Sequence, residues 1–213
     1  MSKRMLKIKF PCWTLVLFLI CCGGDALGQF SLGLSAGPNV CLPNGEADCE
    51  DIYPLGYMNV GMEYRFLTFF GIGADYNISG LTAQESDISI GAQHAVGMLR
   101  GHVPIPLVGM RVVGGLGAGY GELWGEHESN PGEPFYTFVS PFLTLRADAA
   151  VLWSLPLGLL VGAETVWVGY LSGERCYNHP LGQSDCSAIA DLEGGDADVI
   201  DLLQLGGTVR YEF

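Results

Sequence analysis

Eight stretches of this chain alternate between apolar side chains and polar ones or glycine. A period of two is the mark of a β-strand with one face against an apolar medium. The plainest case is "GTVRYEF" at residues 207–213. There Gly207, Val209, Tyr211 and Phe213 share one face, and Thr208, Arg210 and Glu212 the other. Over 56–66, Met58, Val60, Met62 and Tyr64 oppose Tyr57, Asn59, Glu63 and Arg65. Over 69–78, Phe70, Ile72, Ala74 and Tyr76 oppose Gly71, Gly73, Asp75 and Asn77. Similar patterns run through 29–37, the stretch from Met110 to Tyr120, the stretch from Val139 to Trp153, and the stretch from Leu159 to Trp167. The stretch 90–103 alternates least well, with His94 and Arg100 assigned to its polar face. With 31 glycines and no G-X-Y period, the expected fold class is all-β.

The first 28 residues stand apart. Lys3, Arg4, Lys7 and Lys9 precede a short apolar core, "TLVLFLICC", too short to span a bilayer as a helix. Ala26 and Gly28 follow at the spacing of a cleavage site, so residues 1–28 read as a secretory signal peptide and 29–213 as one exported domain. A lipoprotein signal ending at Cys21 or Cys22 is the alternative, against which stand the bulky Leu19 and Ile20. Beyond the signal four cysteines remain. Two local disulfides, Cys41–Cys49 and Cys176–Cys186, are the economical pairing in an oxidising compartment, with zinc as the alternative.

Whether the apolar face points inward or outward is decided by the charges opposite it. The polar faces together carry five acids, Glu63, Asp75, Asp148, Glu164 and Glu212. They also carry five arginines, Arg65, Arg100, Arg111, Arg146 and Arg210, and no lysine occurs after residue 9. A solvated surface, as on a soluble sandwich or lipocalin-like barrel, carries lysine and tolerates imbalance. A closed interior demands balance and favours the forked guanidinium. The polar faces are therefore expected to line a lumen, and the apolar faces to meet lipid. Connections agree: "LT", "PIP" and "SLP" join strands at one end, while long polar segments join them at the other. Phe66, Phe69, Trp153 and Phe213 fall near the short turns, and Tyr76, Tyr120, Tyr136 and Trp167 towards the long loops, as in two aromatic girdles.

These strands, the export signal and the terminal Val209, Tyr211 and Phe213 resemble the small OmpA/OmpX-type outer-membrane barrels. The resemblance implies an eight-stranded antiparallel up-and-down barrel in the outer membrane. It also implies that Val209, Tyr211 and Phe213 act as a signal to the barrel-assembly machinery. Eight strands leave an interior just filled by side chains, so the ten charged residues are expected to plug it as an ion network. A narrow porin-like channel is the rival, because Gly115, Gly117 and Gly119 would leave volume in the half nearer the loops.

The assigned loops are acidic. They hold Glu46, Asp48, Glu50 and Asp51, then Glu85 and Asp87, then Glu122, Glu126, Glu128 and Glu133. The last holds Glu174, Asp185, Asp191, Glu193, Asp196 and Asp198, with Arg175 as its basic residue. That sign disfavours nucleic acid. Divalent cations bridging to lipid headgroups are conceivable partners beside the membrane lipids themselves, but no segment has the spacing of a calcium loop or a metal site. No cofactor is implied. "HESNPG" (127–132) resembles the H-x-S-N motif of outer-membrane lipid A deacylases, with His127 as base and Ser129 as nucleophile. In that family the motif lies near the C-terminus. Here it is mid-chain in ordinary turn sequence, so a non-enzymatic structural or surface-interaction role is expected.

Overall fold

The computed structural model describes residues 28–42, 52–67, 69–83, 89–105, 108–127, 136–178, 184–188 and 201–213. The strands are β1 (Gln29–Gly37), β2 (Asn39–Leu42), β3 (Ile52–Leu67), β4 (Phe70–Ala83) and β5 (Ser89–Ile105), then β6 (Met110–His127), β7 (Tyr136–Ser154), β8 (Leu159–Asn178), β9 (Ser184–Ala188) and β10 (Asp201–Glu212). Each long strand pairs antiparallel with its chain neighbour, and β10 pairs with both β8 and β1, closing the sheet. Among the described residues eight strands thus form a closed barrel: β1, β3 to β8 and β10. Pro38 has no N–H to give, yet β2 carries the register of β1 onward along β10 because the Pro38 carbonyl accepts from Leu205 N at 3.1 Å.

The register fixes the barrel's shape. Following cross-strand partners from Gly169 leads through Leu145, Ala118, Gly97, Ala74, Met62, Leu32 and Tyr211 to Leu159. One circuit therefore returns to β8 ten residues from its start. Eight strands with that shear tilt by about 40° and enclose a backbone radius of about 8 Å, room for side chains and little else. Each residue along a strand then climbs the axis by about 2.5 Å.

Side chains alternate as the sequence requires. Leu32, Leu34, Val60, Ile72, Leu99, Leu116, Leu143 and Val209 all point outward and are exposed, Leu116 by 70%. A contiguous apolar exterior on this scale suits hydrocarbon rather than water. Phe66, Phe69, Trp153 and Phe213 are exposed at the short-turn end and Tyr76 and Tyr120 farther up, as expected for girdles. The inward face is the core: Val113, Ala150, Leu152 and Leu160 form an apolar cluster on β6, β7 and β8, and elsewhere buried polar and charged side chains are interleaved with apolar ones such as Val96, Met98, Val166 and Leu202.

Three expectations change. Strands run well beyond the apolar belt, so Glu122 and Glu126 lie in β6, Glu174 and Arg175 in β8 and Asp185 in β9, not in loops. Backbone hydrogen bonding continues above the membrane, where lipid no longer enforces alternation. The last loop also contains a hairpin, β8 with β9. Finally, Gly115, Gly117 and Gly119 do not leave space. A Cβ on Gly115 would meet Asp148 Oδ1 and Arg100 Cγ, and one on Gly117 would meet Met98 Sδ. On Gly119 it would meet the backbone of Ala95 and Val96. These glycines let neighbouring strands and long side chains approach closely.

Candidate functional site

The ten charged residues expected inside the barrel do converge there, in two groups at different depths. At the short-turn end Glu212 of β10 receives Arg65 Nη1 from β3 at 3.0 Å and also pairs with Arg111 from β6. Gln29 Nε2 donates to its other oxygen at 3.1 Å. This ring keeps some contact with solvent.

Higher up, the second group is buried. Arg100 of β5 forks between two strands: Nη1 and Nη2 donate to Asp75 at 3.2 and 2.6 Å, while Nε and Nη2 donate to Asp148 at 3.1 and 2.5 Å. Arg146, 1% exposed, donates from Nη1 to Asn59 Oδ1 at 2.9 Å. Its Nη2 also lies 2.9 Å from Asp75, off line for a hydrogen bond, so that contact is charge against charge. Arg210 stands 3.6 Å from Glu63 and 3.8 Å from Glu164, at charge-pairing rather than hydrogen-bonding distance. Tyr57 Oη donates to Glu164 at 3.3 Å.

The balance seen in the sequence is global, not local. The buried group sets three arginines against four carboxylates; the ring sets two against one. His102 adds a hydrogen-bonding contact to this group, its Nε2 2.5 Å from Glu63 Oε1. Its signal was available: His102 is two residues beyond Arg100 and so shares its face. The weak alternation of that strand obscured it, because Ala92, Val96 and Met98 also point inward. His94 lies inward as expected and is 1% exposed.

Towards the loops the lumen is closed by neutral groups. Asn77 and Gln204 exchange amide hydrogen bonds at 3.0 and 3.4 Å, and Asn39 Nδ2 donates to the carbonyls of Gly56 and Gly80. Phe142 packs edge-on against Tyr170 with centroids 4.3 Å apart. Between the layers lies a cavity of about 20 Å³ bordered by Glu63, Asp75, Arg100, Glu164 and Arg210, room for about one water.

Other sequence-level sites fare variously. Cys41, at the end of β2, is disulfide-bonded; Cys49 lies outside the described residues. Cys176 and Cys186 are directly opposite each other in the β8–β9 hairpin. Among the described residues no three His, Cys, Asp or Glu side chains cluster to hold a metal. His127 ends β6, while Ser129, the signal segment up to residue 27 and the remaining acidic loop residues lie outside the described residues. Val209, Tyr211 and Phe213 all point outward at the seam, where Phe213 N donates to Phe30 O at 2.8 Å.

No protein-family model matches the chain, and no curated protein matches it in sequence. Solved structures do. A major outer membrane protein from Thermus thermophilus superposes with a TM-score of 0.58 at 16% identity, over 87% of this chain and 99% of that one. Neisserial surface protein A gives 0.53 at 12% identity, over 86% and 97% of the two chains. Ail, the attachment invasion locus protein of Yersinia pestis, gives 0.51 at 12% identity, over 87% and 99%. The fold is that of the small outer-membrane barrels. At these identities the likeness extends to the barrel architecture, and the lumen described above belongs to this chain's own sequence.

Proposed function

We propose that this small outer-membrane barrel is a sealed, non-enzymatic wall element of the bacterial outer membrane that acts through its acidic surface loops. One observation carries the reading: Arg146 on β7 is hydrogen-bonded to Asn59 on β3, the strand four places round the eight-stranded barrel. A side-chain bridge across the lumen, buried at both ends, supports an interior without a continuous aqueous path at that level. Layers above and below it are filled as well, so solute passage is not what this interior is built for.

In this reading the acidic residues of the long connecting segments form the outer surface, and the proposed disulfides Cys41–Cys49 and Cys176–Cys186 pin two of them. Such a surface suits cationic partners: divalent ions, basic peptides or proteins, and cation-bridged lipid headgroups. The terminal Val209, Tyr211 and Phe213 serve assembly, by presenting an outward aromatic seam.

The loop-borne role is tested by capture of polylysine on proteoliposomes. Intact protein should bind it at low ionic strength and release it as salt rises. A variant with the acids of 43–51 and 189–200 changed to Asn and Gln should still fold and lose most capture. Equal capture by that variant would contradict the proposal.

A further inference from the structure

The three short turns end the barrel in a rim that none of the described residues covers. Leu157 is 89% exposed in the β7–β8 turn with Leu155 exposed beside it, and Val108 and Phe69 are exposed in the other two turns round the rim. None of the segments 67–70, 105–110 and 154–159 contains a charged residue. Leu157 moreover sits at φ +66°, in the left-handed region where Gly or Asn would be less strained. A leucine so exposed, in a strained conformation, does nothing for the fold.

The outer face supplies a ruler. Near the loops it carries a polar row: Tyr76 Oη donates to Gln93 at 2.6 Å, Gln93 Nε2 to Glu122 at 3.2 Å, and Trp167 Nε1 to Asp201 at 3.2 Å. Hydrogen-bonded polar groups facing lipid mark the edge of the hydrocarbon. On β5, Val103 lies ten residues from Gln93, about 25 Å down the axis, which is the height of an outer-membrane apolar belt. At that level stand Phe66, Trp153 and Phe213. Leu157 and Val108 reach about 5 Å farther, into the headgroup layer rather than into open water.

We infer that the short-turn rim is immersed in the interfacial layer of the leaflet it faces, with Leu157, Val108 and Phe69 as lipid anchors continuous with the belt. The inference rests on the lipid-facing belt and extends it past the strands.

It is tested with single nitroxide labels at positions 157, 108 and 116, each as a cysteine variant in a chain whose four other mature cysteines are serine. In proteoliposomes, collision with oxygen and with a water-soluble nickel chelate reports depth. Labels at 157 and 108 should read shallower than 116, yet clearly more protected from the chelate than the same label free in buffer. Accessibility equal to buffer at 157 and 108, with 116 deep, overturns the rim's immersion and leaves the belt standing. Chelate access at 116 overturns both. Should the cysteine-free barrel not fold, Leu157→Asp in the native cysteine background takes its place. It should lower folding into vesicles about two- to five-fold and leave folding in detergent unchanged; equal folding in both overturns the inference.

Discussion

Arg146 and Asn59 join opposite walls of the barrel: the guanidinium of β7 donates from Nη1 to the amide oxygen of β3 at 2.9 Å, both side chains out of reach of water. A link of this kind stabilises the closed form only while both ends are satisfied. Arg146→Met should therefore cost about 3 kcal/mol, because it removes a cation from beside buried Asp75. Asn59→Ala should cost about 1–3 kcal/mol by orphaning one donor. Urea unfolding in lipid vesicles gives both values, and the arginine should rank first.

Depth should grade the ion pairs. Arg100 forks onto Asp75 and Asp148 with side chains almost wholly buried, whereas Arg65–Glu212 lies at a partly wetted ring. A double-mutant cycle on Arg100 and Asp148 should show a coupling well above about 1 kcal/mol, and one on Arg65 and Glu212 about 1 kcal/mol or less. Arg100→Lys should not rescue, since a point charge cannot serve both carboxylates in the fork's geometry. Equal couplings at the two depths would refute the grading.

Glycine substitutions separate inward from outward faces. A Cβ on Gly119 would collide with the carbonyl oxygen of Ala95, but one on Gly97 finds only Ala118 O, at 3.9 Å. Gly119→Ala should destabilise the barrel, and Gly97→Ala should be neutral or stabilise it by about 0.5–1 kcal/mol through the unfolded state. Thermal melting followed by heat-dependent gel migration distinguishes them.

At the seam, Phe213 packs against Phe30 and Tyr211, with ring centroids at 5.9 and 4.8 Å. Phe213→Ala should slow appearance of the folded form in cells more than it slows refolding of purified protein into vesicles, if the outward aromatic seam serves assembly. Pulse-chase analysis of heat-modifiable protein compares the two. Equal slowing would assign the residue to packing alone.

Much of this was legible in the sequence because lipid and lumen impose opposite demands on alternate residues. Met62 beside Glu63, or Val209 beside Arg210, can satisfy both only as a strand in a barrel wall. The demand ends where lipid ends, so the upper reaches of β6 and β8, with Glu122 and Glu174, read as loops although they are strands. Volume was the other blind spot. Gly115 looks like empty space until Arg100 and Asp148 are placed against it, and that requires the register between three strands. His102 was hidden for a related reason: its strand also points Ala92, Val96 and Met98 into the lumen, so the polar face on which His94 and Arg100 were placed was too weakly marked to be followed on to residue 102. The number of charges could be counted from the sequence, but their division into a buried group and a ring depends on the shear.

The central claim is that these layers seal the lumen, and planar-bilayer recording of the refolded mature barrel tests it most directly. Protein shown to be inserted should give no conductance steps. Discrete, reproducible steps of one size from the same preparation would contradict the sealed lumen and make the arginine–carboxylate layers the lining of a pore.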